Sequence, residues 1–104
     1  MNIHIPFERE KIVDFCQRWK ITEFAFFGSV LRSDFRPDSD IDVLVEFATD
    51  SHWTFFDLFY MEQELEKIFG RKVDLVCKKG VEQSRNYLRR KTILSSAEVV
   101  YAAS

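Results

Sequence analysis

The sequence predicts an α+β fold, in which helices pack mainly on one face of a small mixed β-sheet. Three short segments have the composition of strands, and two longer segments repeat apolar residues at helical spacing. With 104 residues, 46% of them hydrophobic and eleven of them phenylalanine, the chain is expected to form a single domain over residues 1–104. No apolar run approaches the roughly 20 residues that cross a bilayer, so no membrane contact is expected.

The first two elements are a helix and a buried strand. Pro6 suits a first helical residue and the apolar residues after it recur at helical spacing, so a helix is expected over about 6–19. Aromatic and β-branched residues fill 21–27, which indicates a buried strand, and Gly28 ends it in a tight turn.

A second strand follows two turns. A helical turn is expected over about 29–34 and a reverse turn over 36–39, where Pro and Asp favour that geometry. Residues 41–47 place alternate apolar side chains on one face. If Asp40 begins this strand, Asp40 and Asp42 share the other face.

The second half of the chain starts with a loop over 48–52 and a helix over 55–69. The apolar period of this helix is broken only by Glu62, and Gly70 is its natural stop.

A third strand is expected over 72–77, and it contains a third carboxylate. Asp74 joins the face of Asp40 and Asp42 if the second and third strands are neighbours. The next segment looks helical, and residues 98–101 fit either a short last strand or a helix end.

The three aspartates and the Gly-Ser turn favour a metal–nucleotide site. Mg²⁺ prefers oxygen ligands and keeps positions for water and phosphate. In a two-metal arrangement with ions about 3.5 to 4 Å apart, Asp40 and Asp42 would bridge both ions and Asp74 would bind the one nearer the acceptor. Gly28 allows close backbone approach, and Ser29 with the amides after it can hold phosphate oxygens.

The order of these motifs matters more than any one of them. An isolated Asp-x-Asp or Gly-Ser usually belongs to a solvated turn. Here a strand, Gly-Ser, Arg32, a turn, Asp-x-Asp on a strand and Asp on another strand follow one another, and Arg32 is near enough to add positive charge.

The remaining polar and sulfur residues indicate no second chemistry. His4 and His52 lack neighbours at zinc-ligand spacing. Cys16 and Cys77 suit core packing, and their small number points to a reducing cytoplasm. A net charge of −2 argues against direct binding of nucleic acid.

Two surface features stay open. Residues 53–60 contain more aromatics than one buried helix face needs, so the surplus forms a partner surface or packs against neighbouring helices. The second feature is a group of basic residues, which consists of Arg85, Arg89, Arg90 and Lys91. These residues fit a solvated helix face, and the alternative is a surface that docks an acidic partner.

With these motifs the sequence resembles the minimal nucleotidyltransferases of the DNA polymerase β superfamily, which occur as antitoxin partners of HEPN-domain toxins. The motifs that carry the resemblance are Gly28-Ser29, Arg32-Ser33, Ser39-Asp40-Ile41-Asp42 with the apolar residues after it, and Val73-Asp74-Leu75-Val76. The resemblance implies a polymerase β-like fold and a hetero-oligomer with a HEPN toxin. It also implies Mg²⁺-dependent transfer of AMP from ATP to a toxin hydroxyl, with tyrosine as the expected acceptor.

By the same resemblance, the nucleotide is bound by Gly28, Ser29 and Arg32, and two Mg²⁺ ions by Asp40, Asp42 and Asp74. Ser33 stands where the family usually has Gly, which bears on the direction of Arg32. A second hypothesis is therefore a catalytically weak antitoxin that neutralises the toxin by direct binding. Transfer to a small hydroxyl compound is disfavoured, since such enzymes carry an additional substrate domain.

Overall fold

The computed structural model describes residues 7–28 and 40–103, and its strands form one sheet. The elements in chain order are α1 (Arg9–Arg18), β1 (Ile21–Phe27), β2 (Ile41–Phe47), α2 (Phe55–Phe69), β3 (Val73–Cys77), α3 (Lys78–Glu82), α4 (Tyr87–Ser96) and β4 (Glu98–Ala102). The strand order is β3-β2-β1-β4. β1 runs antiparallel to β2 and β4, whereas β2 and β3 are parallel. The predicted mixed α+β architecture is confirmed, and the undecided last segment is a strand.

The sheet has a larger core on one face and a smaller one on the other. On the first face, apolar side chains of β1 and β2 pack against α1 and α2, with Phe15, Phe24, Phe26, Met61 and Leu65 fully buried. On the second face, a smaller cluster joins the sheet to α3 and α4; it contains Ala25, Phe27, Leu44, Val81 and Ile93. Asp42 alternates with residues of the first core, so it belongs to the second face.

The first helix is shorter than its apolar pattern predicts. α1 begins after Glu8, whose extended backbone forms the N-cap, and ends at Trp19 as the C-cap. Phe7 nevertheless contacts the core, because its ring meets that of Phe26 edge-on with centroids 5.5 Å apart. The apolar pattern thus placed Phe7 correctly against the core, but Phe7 lies before the N-cap and not within the helix.

α2 has well-defined ends. Thr54 and Asp57 form a capping box: the Thr54 amide donates to Oδ2 of Asp57 at 2.8 Å, and the Asp57 amide donates to Oγ1 of Thr54 at 3.3 Å. At the other end Gly70 adopts a left-handed conformation, with φ of 71°. The predicted bounds of this helix are confirmed.

The predicted turns over 29–34 and 36–39 lie outside the described residues. Within the described part of the chain, no helix is long and apolar enough to cross a membrane.

Candidate active site

The candidate site lies at one end of the strands, where β1 ends and where β2 and β3 begin. Asp42 is the register partner of Phe27 on one side and of Asp74 on the other. Because neighbouring residues in register point to the same face of a sheet, the two aspartates stand side by side on the second face. Asp74 was expected on this face if the second and third strands were neighbours. The parallel pairing of β3 with β2 meets that condition.

Asp40 does not begin β2, so the condition under which it would share a face with Asp42 is not met. It lies just before β2 rather than at its first residue, and its side chain is exposed. Within 7–28 and 40–103, no three Asp, Glu, His or Cys side chains form a group that encloses a metal ion. The structure therefore brings Asp42 and Asp74 together, and it does not complete a group of three with Asp40.

Gly28 lies directly against Asp42. Its φ is +74°, a left-handed conformation that side chains rarely tolerate. A Cβ atom at this position would collide with Oδ2 of Asp42 and lie 3.3 Å from its Cγ. Sequence reasoning explained this glycine by close approach to phosphate. The structure shows a further reason, the space needed by the Asp42 carboxylate.

The carboxylate pair fits a hard divalent cation. Mg²⁺ is commonly held by one or two carboxylates, and substrate phosphates and water fill its remaining positions. Two like charges in register on neighbouring strands also repel each other, so a bound cation would stabilise this edge. Asp42 and Asp74 are the residues that would hold it. Ser29 and Arg32, assigned to the nucleotide from sequence, lie outside the described residues, as does Ser33.

A cavity of about 340 Å³ lies along β3, α3 and α4. Its walls include Val76, Val81 and Ile93, with Arg89 and Arg90. Arg90 is tied to the end of α3: its guanidinium donates to the carbonyls of Glu82 at 3.2 Å and Ser84 at 3.4 Å. Arg90 therefore has a structural role that the sequence did not reveal, whereas Arg85, Arg89 and Lys91 are exposed.

The cysteines are placed as core residues. Cys16 is fully buried in the larger core, and burial raises the pKa of its thiol to about 12. Burial also raises the pKa of the half-buried Cys77. Because only a thiolate is a good nucleophile, these shifts disfavour cysteine chemistry and agree with the expected packing role.

The aromatic segment divides into two groups. Trp53 packs inward and its indole N–H donates to the carbonyl of Trp19 at 2.8 Å. Four other rings, which we call the aromatic face, are solvent-exposed by 82, 73, 52 and 61%; they are Phe55, Phe56, Phe59 and Tyr60. They lie on the first two turns of α2. Because these four rings are exposed, they are not packed against neighbouring helices. The other interpretation, a surface for a partner, is the one that fits them.

Comparison with known proteins identifies the class of this chain. Residues 9–100 match the model of the nucleotidyltransferase domain, so the chain belongs to that family of enzymes. Protein adenylyltransferase MntA of Thermococcus cleftensis is 37% identical over 86 residues, which are 82% of this chain and 78% of that protein. A Methanocaldococcus jannaschii protein provisionally named a protein adenylyltransferase is 39% identical over 64 residues, 62% of this chain. The chain spans 64% of that relative's length.

Solved structures narrow the class to the minimal nucleotidyltransferases. One structure, provisionally described by that name, is 32% identical to this chain, and the match covers 86% of each chain with a TM-score of 0.67. A toxin–antitoxin crystal structure with AMP-PNP has a TM-score of 0.71 at 18% identity, over 94% of this chain and 76% of the other. The structure of a tri-AMPylated Shewanella oneidensis HEPN toxin in complex with MNT antitoxin has a TM-score of 0.61 at 18% identity. The match covers 91% of this chain and 70% of the other. The predicted family and its polymerase β-like fold are confirmed.

Proposed function

We propose that this protein is an adenylyltransferase that transfers AMP from ATP to a hydroxyl of a HEPN-domain toxin and so acts as its antitoxin. The observation that carries the proposal is the pairing of Asp42 and Asp74 beside Gly28 at one sheet edge. Relatives named as protein adenylyltransferases, and the AMPylated toxin in one similar complex, support the same reaction for this chain. ATP as donor agrees with a cytoplasmic site of action.

Each residue has a proposed role in this reaction. Asp42 and Asp74 would hold Mg²⁺, and Asp40 would have to turn toward them to become a further ligand, while Gly28, Ser29 and Arg32 would bind the triphosphate. When bound there, Mg²⁺ would neutralise phosphate charge and polarise the phosphate that is attacked. The acceptor oxygen, from a tyrosine, forms a bond to the α-phosphorus, the bond to the β-phosphate oxygen breaks, and pyrophosphate leaves. Asp74, an exposed carboxylate, accepts the hydroxyl proton.

Transfer of label tests the proposal. The chain is incubated with α-labelled ATP, Mg²⁺ and the HEPN protein encoded beside it, and label on the toxin is measured. Asp42→Asn and Asp74→Asn are expected to lower the rate by about a hundredfold or more, because each removes a charged oxygen ligand without changing the side-chain volume.

Asp50→Asn is the matched control. Asp50 follows β2 at the opposite end of the sheet and pairs with Lys20 at 3.5 Å on the surface. This variant should transfer label at the wild-type rate. Absence of label from the wild-type protein, or equal transfer by all three variants, would contradict the enzymatic proposal.

The aromatic face supports a second candidate function, neutralisation of the toxin by binding alone. Four adjacent exposed rings form an unusually apolar surface for a helix in water. In this case an Asp40→Ala/Asp42→Ala double variant would still protect cells from the toxin. The enzymatic proposal predicts loss of protection although the variant remains folded and still binds the toxin.

A further inference from the structure

Two carboxylates of α2 reach the outer edge of β3. Oε1 of Glu62 accepts a hydrogen bond from the Leu75 amide at 3.2 Å, and Oε2 of Glu66 accepts one from the Val73 amide at 3.4 Å. Both glutamates are half-buried and lie one helical turn apart. Glu62, which interrupts the apolar period of α2, therefore has a definite structural partner.

These two amides flank Asp74. β3 is an edge strand, and its inner side is bonded to β2; the Ile41 amide, for example, donates to the Lys72 carbonyl at 2.9 Å. Amides of alternate residues in a strand point to the same side, so Val73 and Leu75 direct theirs outward while Asp74 lies between them. The backbone of Asp74 is thus held from one side by β2 and from the other by α2.

We infer that Glu62 and Glu66 are positioning residues, which keep Asp74 in register beside Asp42. The inference rests on the proposed function, in which those two carboxylates hold the metal. Neither glutamate needs to touch the metal or the substrate, since each acts through the β3 backbone. The two acceptor oxygens pair outward amides that an edge strand otherwise leaves unpaired, and this fixes the position of the β3 backbone.

Three double variants separate positioning from charge and from general stability. Glu62→Leu/Glu66→Leu removes the acceptors, whereas Glu62→Gln/Glu66→Gln removes the same two charges and keeps an acceptor oxygen at each site. Gln63→Leu/Lys67→Leu introduces the same residues at the same spacing on exposed positions of α2.

Three measurements compare these variants. Amide hydrogen exchange of Val73 and Leu75 does not depend on catalysis, nor does Mn²⁺ binding, which is detected by paramagnetic broadening of the Asp74 amide signal. The third measurement is the Mg²⁺ dependence of AMP transfer. The Leu pair should exchange these amides faster, bind Mn²⁺ about tenfold more weakly and need more Mg²⁺ for half-maximal transfer. The Gln pair and the control should stay within about twofold of wild type.

Wild-type Mn²⁺ binding by the Leu pair, despite faster amide exchange, would overturn the positioning role and leave the proposed function intact. Equal weakening by the Leu and Gln pairs would overturn it too, because lost charge would then explain the effect. If the wild-type protein transfers no AMP, the proposed function fails. The Mn²⁺ and exchange data still decide whether the two glutamates position Asp74.

Discussion

Gly28 combines a left-handed backbone with direct contact against the Asp42 carboxylate, and the two effects have separate consequences. Gly28→Ala should lower the free energy of unfolding by about 1 to 3 kcal/mol, because the new methyl group is strained and collides. It should also lower AMP transfer by about a hundredfold, because Asp42 has to move. Urea unfolding and label transfer measure the two losses.

The other glycines provide matched controls for this prediction. Gly70 shares the positive φ, at +71°, but has nothing within 4 Å of a new Cβ, so Gly70→Ala should lower stability and leave transfer unchanged. Gly80 lies in α3 with open space around it, and Gly80→Ala should be neutral or slightly stabilising. Equal activity of the Gly28 and Gly70 variants would contradict the proposed contact with the catalytic carboxylate.

The side-by-side aspartates imply a cost in stability when no cation is present. Asp74→Asn removes one of two like charges, so without divalent ions it should raise the melting temperature by about 1 to 2 °C. Mg²⁺ should raise the melting temperature of the wild type and have little effect on this variant. Thermal melts with EDTA and with Mg²⁺ measure both. An equal response of wild type and Asp74→Asn to Mg²⁺ would exclude Asp74 as a ligand.

At the scale of elements, the N-terminus of α2 depends on its capping box. Thr54→Ala should lower the free energy of unfolding by about 1 kcal/mol, since the hydroxyl that accepts from the Asp57 amide is lost. Thr49→Ala, in the preceding loop and exposed, should change it by less than about 0.5 kcal/mol. Chemical denaturation of both variants checks the prediction, and equal stabilities would mean that the box contributes nothing.

Elements fixed by local composition were predictable, and those fixed by distant partners were not. β1 and β2 match their predicted bounds because β-branched and aromatic residues predominate in both strands and alternate residues of β2 are apolar. β4 could not be distinguished from a helix end, because five residues carry little periodicity and their pairing with β1 decides the outcome.

The candidate site shows the same division. Asp42 and Asp74 were identifiable as residues, but their placement side by side depends on the strand order, which the sequence does not show. Glu62 looked like an interruption of α2, because hydrogen bonds to an edge strand leave no mark on helical periodicity. Asp40 would share the face of Asp42 only as the first residue of β2, and the strand begins at Ile41, as its composition predicted, where the side chain is buried.

At the scale of the whole molecule, the candidate site and the aromatic face lie on opposite sides of the sheet. Asp42 and Asp74 are on the face covered by α3 and α4, near the start of β2, whereas the aromatic face is on α2, which packs against the other side. α2 also begins beyond the far end of β2. A toxin held by the aromatic face must therefore extend around the sheet to reach the site, so binding and chemistry should respond to different substitutions.

Steady-state kinetics with the toxin as varied substrate separates the two. Phe56→Gln/Tyr60→Gln should raise KM for the toxin by about tenfold or more and leave kcat within about twofold, because the exposed rings contribute binding and not chemistry. Asp42→Asn should lower kcat with little change in KM for the toxin. Gln63→Ala, exposed on the next turn of α2, is the control and should change neither. A fall in kcat of the aromatic double variant at saturating toxin would contradict this separation. All of the enzyme is then in the complex, so a lower kcat would mean that the aromatic face also aligns the acceptor hydroxyl.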